Sequence, residues 1–299
     1  MALSGVLSAL RELILDEPAL PESFEARVEL FARSFPTLTE DEREDLAKIH
    51  PQQLRAYTGT IFAGERSVLR RRFPLTFALL ESQWEQHFSE PFNRIALVKK
   101  VHSFRPWTDN KTAGLAKAFV EYLSVARSDL QEIYPHLCDV ASLEFHSMMI
   151  ARRKEPTLPA ILSEDTISRM TVSELLSTGC AVPHNMRQEK FDFAVLSYRN
   201  AFFANDKTLP QFPEKRMVCA VGARNRFNAV RWLEVPESVY ELLDECKPYQ
   251  SISISELADS FLADQSNPQV EEMEQFREFL TMFLDLVRIG AVYPLNGTV

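Results

Sequence analysis

The sequence predicts a mainly α protein in two parts, a helical N-terminal domain followed by a smaller α+β domain. Three observations predict it. Apolar residues recur at three- and four-residue steps through most of the N-terminal half, the spacing of amphipathic helices. Seventeen prolines against eight glycines fit many helices punctuated by prolines. From Met217 the pattern changes to two alternating runs around a short polar turn, MVCAVGARNRFNAVRWLEV.

The totals restrict what such a chain does. Its 299 residues suffice for two modest domains, and 45% hydrophobic residues are usual for a globular protein. A formal charge of −9 and a pI near 5.3 argue against a main role in coating nucleic acid, although they allow a local basic patch. No uninterrupted apolar run is long enough to span a bilayer, and MALSGVLSALRELILDE lacks a basic leader. The expectation is a cytoplasmic protein that begins with a helix. Cys138, Cys180, Cys219 and Cys246 are too far apart in sequence for a Cys-x-x-Cys arrangement, which disfavours a structural zinc or a disulfide framework. A glycine-rich phosphate cradle is also missing.

Taken in order, the first helix runs from Leu3 to Leu15, with Val6, Leu7, Leu10, Leu13 and Ile14 on one side, and the Pro18-to-Pro21 segment ends it. A second follows from Glu22 to Phe35. Thr39 and Glu42 form a capping box for a third, through Ile49. Leu54, Tyr57, Ile61, Val68 and Leu69 then place one apolar stripe on a long helix. Arg70, Arg71 and Arg72 crowd its last turn, where cations complement the carbonyl end, and Phe73-Pro74 stops it. A second run with Phe77, Leu80, Trp84, His87 and Phe88 on one face completes a helical hairpin. Pro91 opens a helix carrying Ile95, Val98 and Val101, which ends before Phe104-Arg105-Pro106. Its end is basic, with Lys99, Lys100 and Arg105.

The stretch YPHLCDVASLEFHSMMIAR, Tyr134 to Arg152, reads as a helix after a proline, with Leu137, Val140, Ala141, Glu144 and Phe145 on one face. Glu144 therefore points inward. A buried carboxylate needs a partner, so Glu144 is expected either to pair with an arginine of the hairpin or to belong to an interface. Tyr57, Arg71, Arg72 and Glu144 are accordingly the candidate structural or partner-facing residues of the N-terminal domain.

Lys154 to Pro159, behind Arg152 and Arg153, looks like a boundary. The predicted organisation is a helical domain over 1–155, a connecting segment of uncertain structure over 156–216, and an α+β domain over 217–299. Within the connecting segment, Ser163 to Thr178 reads as a helix ended by Gly179, and Phe191 to Phe203 is ambiguous between helix and strand. The α+β domain opens with the hairpin Met217 to Val235, its turn at Arg224-Asn225-Arg226, where Asn tolerates positive φ. Pro236 begins a helix with Val239, Leu242, Leu243 and Cys246. Ser253 and Glu256 cap a short helix with Leu257 and Phe261. Asn267-Pro268 launches the last long helix, with Met273, Phe276, Phe279, Leu280, Phe283, Leu284 and Val287, and Gly290 ends it before a strand over Ala291 to Leu295. A hairpin, three helices and a closing strand make a winged-helix-like arrangement.

No active site is legible. The six histidines show no metal-ligand spacing. His136-x-Cys138 with Asp139 invites a metal, yet His136 and Cys138 sit about 200° apart on a helix and cannot share one ion there. Neither a nucleophile elbow nor a catalytic Cys/His arrangement occurs.

Word order adds a resemblance. Leu54-x-x-Tyr57, the Phe73-Pro74 break, Leu79-Leu80 and a Trp/Phe-rich second helix resemble the N-terminal domain of a bacterial family long labelled DNA-binding. Gly114, Phe119 and Leu123 continue the likeness, as does the run Pro135, Leu137, Asp139, Ala141, Leu143, Glu144 and Phe145. Some members of that family, of the TglI, MbnC and HvfC type, are partner proteins of multinuclear iron oxidases in ribosomal-peptide biosynthesis. What the resemblance implies is a non-catalytic subunit, without a cofactor of its own, paired with a TIM-barrel oxidase that carries the iron. It would bind a precursor or scaffold peptide and present its cysteine; the TglI-like case, nearest in length and C-terminal domain, implies β-carbon excision from a C-terminal cysteine in 3-thiaglutamate biosynthesis. The C-terminal domain also resembles those that hold leader peptides as an added strand against the last helix, which implies a peptide site at Val218, Ala220, Arg224, Arg226, Arg231 and Phe283. The arginines would favour acidic residues. One alternative is a winged-helix-like DNA-binding regulator, with salt-sensitive phosphate contacts; another is an enzyme in its own right using His136, Cys138 and Glu144.

Overall fold

The computed structural model describes residues 2–16, 20–82, 94–104, 112–126, 128–152, 162–167, 169–247, 251–264 and 272–298. Expectations for Trp84, His87, Phe88, Pro91, the Lys154-to-Pro159 boundary and Asn267-Pro268 lie outside them. The chain is mainly helical, and no helix among the described residues is long and apolar enough to cross a membrane. It forms two compact units, 1–74 with 80–126, and 75–79 with 127–299.

In the first unit, α1 (Ala2–Asp16), α2 (Phe24–Ser34), α3 (Glu40–Ala47) and the start of α4 (Pro51–Arg72) bury Ala9, Leu13, Phe31, Leu38, Leu46 and Leu54 in one core. The Thr39/Glu42 capping box starts α3 as expected. Arg27 is buried and donates Nε to the Ala47 carbonyl at the end of α3, at 2.8 Å. Its Nη1 reaches the Pro21 and Glu22 carbonyls, so the charge faces only acceptors. Pro51 sits in the first turn of α4, where its missing donor costs nothing, and His50 caps Gln52. The buried side of α4 is Leu54, Thr58, Phe62 and Leu69. Tyr57, expected in that stripe, is 59% exposed. The rotation that buries Phe62 puts Tyr57 about 140° away on the helix, on the solvent side. Around Phe62 and Leu69 pack α6 (Arg94–His102) and α7 (Thr112–Ala126), which bury Val98, Val101, Gly114, Phe119 and Leu123. Phe73 lies edge-on to Phe119 at 4.9 Å between centroids.

α5 (Pro74–Ser82) follows α4 after Phe73 alone. Leu75–Leu79 groups with the second unit. That unit also holds α8 (Ser128–Ile133) and α9 (Leu137–Arg152), so α9 does not end an N-terminal domain as predicted. The residues expected to form an undefined connection are structured too. Two short helices, α10 (Glu164–Ile167) and α11 (Val172–Leu176), replace the single helix predicted over Ser163 to Thr178, because Thr171 and Glu174 form a capping box that restarts the chain. Gly179 is no helix stop: it lies in strand β1 (Thr178–Ala181) and pairs with Ser253. The ambiguous stretch divides cleanly, with Phe191 ending β2 (Arg187–Phe191) and α12 spanning Val195–Ala204.

The hairpin forms as predicted, from β3 (Val218–Arg224) and β4 (Val230–Glu234). Its turn differs in detail. Asn225 Oδ1 accepts the amides of Phe227 and Ala229, and Asn228 carries the positive φ, 62°. Next come α13 (Glu237–Glu245), β5 (Ser251–Ser253), α14 (Ile254–Asp264), α15 (Glu272–Ile289) and β6 (Tyr293–Thr298). Ser253 and Glu256 cap α14 reciprocally, and Gly290, at φ 78°, ends α15. The strands make two separate antiparallel sheets in the order β5-β1-β6 and β2-β3-β4. The closing strand therefore pairs with β1, 178–181, and not with the hairpin.

β3 is the centre of its sheet and buried on both faces. Cys219, Val221 and Ala223 enter the core under α13, α14 and α15, with Val239, Leu257, Phe279 and Phe283. The alternate residues face α9, and there Gly222 is required by close approach. A Cβ at Gly222 would lie 2.6 Å from the Trp232 ring across the ladder, and Trp232 Nε1 is fixed by a 2.8 Å bond to Ser147 on α9. Gly222→Ala should therefore lower unfolding stability by about 1–3 kcal/mol, as overpacking does. Urea titration would read it. In a Trp232→Ala background the same change should cost measurably less, a coupling that a double-mutant cycle isolates.

Candidate functional site

α9 carries the run that the sequence singled out, and the structure gives each of its carboxylates a backbone target. Leu137, Val140, Ala141 and Leu143 are buried, and α9 packs against α12, β3 and β4. Glu144, only 4% exposed, accepts the Leu75 amide through Oε1 at 3.0 Å; through Oε2 it accepts the Thr76 amide at 3.0 Å and the Thr76 hydroxyl at 2.7 Å. These are the amides of the second and third residues of α5, donors that no intrahelical acceptor meets. Phe73 has no side-chain oxygen to cap them, and Pro74 has no N–H. Glu144 caps the helix from across the unit, where a negative charge also meets the favourable end of the helix dipole.

The expected pairing of Glu144 with a hairpin arginine is thus corrected. Arg71 and Arg72 are exposed. Arg70 instead shares Glu81 with Arg66, at 2.9 and 3.3 Å. The arginine that lowers the cost of the buried Glu144 charge is Arg199, on α12, a residue the sequence reading passed over. Burial dominates all the same, and pushes the Glu144 carboxyl up to about 7 against the pull of the Leu75 and Thr76 donors and of Arg199.

Asp139 works in the same way one and a half turns earlier. Its Oδ2 accepts the amides of Asp192 at 2.8 Å and Phe193 at 3.1 Å, which fixes the bend that launches α12; Ala194, the residue at the cap, supplies no side-chain bond of its own. Burial pushes Asp139 up to about 6, and the two amides pull it back.

His136 is buried among aromatic rings, 5.1 Å from Tyr198, 5.3 Å from Phe212 and 6.0 Å from Phe193 between centroids. Burial lowers it to about 4, so it is neutral at physiological pH. Burial likewise raises the Cys138 thiol, the opposite of what an activated nucleophile needs. His146, also on α9, pairs with Glu189 of β2 at 2.8 Å. Among the described residues, no three of His, Cys, Asp and Glu stand close enough together to hold a metal.

The proposed peptide residues separate into three groups. Val218 and Ala220 belong to the central strand: Ala220 is flanked by Glu189 on β2 and Glu234 on β4, so no further strand can add there. Phe283 is fully buried in the α13–α15 core and offers no surface to a ligand. The arginines do reach the outside. Arg226 and Arg231 are exposed, Arg224 is half-buried, and Arg226 lies 4.9 Å over the ring of Phe227, itself 74% exposed at the hairpin tip. β4 is the last strand of its sheet among the described residues. An added strand can pair only at an outer edge of this sheet, at β2 or at β4, and not at β3.

No family model matches the chain, and no curated protein matches it at a significant level. The resemblance drawn from word order thus rests on the residues quoted for it.

The two carboxylates predict opposite results for their amides. Glu144→Gln replaces one needed acceptor by a donor and should cost about 1–3 kcal/mol, whereas Asp139→Asn keeps an oxygen for both of its amides and should cost under about 1 kcal/mol. Chemical denaturation of both variants would check this. The pH dependence is specific as well. With its folded value raised from the ordinary 4.5 to about 7, Glu144 holds a proton in the native state that the unfolded chain has released. The stability of the natural chain relative to Glu144→Gln should therefore fall as pH rises from 4.5 to 7, by up to about 1.4 kcal/mol per unit.

Proposed function

We propose that this chain is a non-catalytic partner subunit that binds a ribosomally made precursor or scaffold peptide and presents its cysteine to a multinuclear iron oxidase, in the manner of the TglI type. The observation that carries the reading is the outer edge of β4, a strand with Arg231 exposed along it and Arg226 and Phe227 at its tip. Such an edge accepts a peptide by backbone pairing, with the arginines selecting acidic residues and register. The order α13-β5-α14-α15-β6, with β1 placed between β5 and β6, is in keeping with a winged-helix-like part beside the hairpin. The role of Asp139 and Glu144 in holding backbone also favours a scaffold over an enzyme: both carboxylates are engaged by backbone amides. The oxidase subunit would bring the iron and the redox chemistry.

A second reading, a DNA-binding regulator, draws on the same basic and aromatic hairpin tip, which has the composition of a wing that meets phosphates.

Co-expression of the tagged chain with a neighbouring iron-oxidase gene and its short peptide separates the two. The partner reading expects a one-to-one complex that retains iron and peptide, with peptide capture reduced about tenfold or more by Arg231→Glu. A chain that purifies alone and shifts duplex DNA, with affinity falling steeply between 50 and about 200 mM salt, would replace it by the regulator.

A further inference from the structure

His136 is enclosed by aromatic rings, and its polar end is unmet. It stands in the turn between α8 and α9, is 1% exposed, and its Nε2 has no hydrogen-bond partner among the described residues. Tyr134, Phe193, Tyr198 and Phe212 surround it, at 6.2, 6.0, 5.1 and 5.3 Å between centroids. The hydroxyl of Tyr198, the nearest of these rings, is buried and unpartnered as well. Two such groups in one apolar enclosure are costly, since each has given up water without gaining a partner.

The four rings differ in how they are held. Tyr134 and Tyr198 are each 3% exposed, and Phe193 is half-buried where Asp139 takes its amide. Phe212 is 63% exposed. Its ring lies over His136 and edge-on to Tyr134, the latter at 6.1 Å, within the stretch Leu209-Pro210-Gln211-Phe212-Pro213. Residues 209–213 make no hydrogen bond with a described residue. The chain enters this strap through Asp206 and Lys207, at φ 47° and 60°, a left-handed pair that residues other than glycine adopt at a cost. It is fastened again at Glu214, whose carbonyl accepts the Ala194 amide at 2.9 Å. Of the rings around His136, Phe212 is therefore the one held by side-chain contact alone, and a partner for Nε2 enters where its ring now lies.

We propose that Phe212 is a displaceable cover on a binding site for a neutral phenol. The ligand's ring takes the seat of the Phe212 ring, and its hydroxyl donates to His136 Nε2 and accepts from the Tyr198 hydroxyl. Phe212 meets the demand for shape but has no polar atom to offer. A charged ring is disfavoured, because the seat is walled by aromatic faces and an imidazole that burial keeps neutral. The site uses no residue of the β4 edge and stands or falls apart from the peptide-binding reading.

p-Cresol is the probe, with toluene and benzoate as comparisons, followed through the His136 imidazole nitrogens of the full chain by NMR. The expected result is a saturable p-cresol response at His136, with toluene and benzoate each bound about tenfold more weakly or less. Phe212→Ala removes an exposed ring from a strap without hydrogen bonds and should tighten p-cresol about tenfold; Tyr198→Phe in that background should cancel most of the gain and leave toluene unchanged. N-acetyltyrosinamide then separates the two sources of a phenol: binding equal to p-cresol assigns the seat to a tyrosine side chain, and rejection assigns it to a free small molecule. Toluene or benzoate bound as tightly as p-cresol, or no saturation in Phe212→Ala, would overturn the site. So would a Phe212→Ala chain that no longer folds, since Phe212 would then be a structural plug.

Discussion

The second unit depends on carboxylates that hold backbone. Glu144 and Asp139, on one helix, accept amides from Leu75, Thr76, Asp192 and Phe193, residues far away in sequence. Each bond answers a donor that its own segment leaves unmet: the start of α5 has a proline and an apolar cap, and the start of α12 has alanine at its cap. α9 is therefore more than a core helix. It sets where two other helices begin, and through Trp232 and Ser147 it also fixes the face of the β2-β3-β4 sheet against which it packs.

This arrangement explains what could be read from the residues alone. The inward-facing position of Glu144 followed from helical periodicity, because its neighbours Leu137, Val140 and Ala141 are apolar. Its partner did not follow. Backbone amides have no signature in a sequence, so an arginine was the natural expectation, and only the fold brings Leu75 and Thr76 to the carboxylate. The capping boxes at Thr39 and Ser253 were legible because both halves lie within four residues. β1 was not, since TGCA is too short to show a period and is defined by strands 70 or more residues later, as its pairing with Ser253 and Tyr293 shows. Tyr57 was misplaced for a related reason: a helix with Ile61 and Phe62 side by side offers two nearly equivalent stripes, and packing chooses.

The hairpin shows the same limit at the candidate site. Alternation announces two strands, but not which edge stays free; β2 pairs along β3 and closes Val218 and Ala220 to an added strand. The arginines were picked out for charge, and exposure agrees for Arg226 and Arg231. Arg199 stands in a stretch that reads equally as helix or strand, and only its place on α12 brings it into the field of Glu144.

The order β5-β1-β6 has a bearing on synthesis. β1 lies between two strands that the ribosome makes much later, so TGCA, together with the buried Cys180, stays without its sheet until the segment ending at Thr298 has emerged. Closure of that sheet is a late, long-range event during biogenesis. A nascent chain halted inside α15 would still have an open slot beside β1, and chaperone dependence should concentrate there.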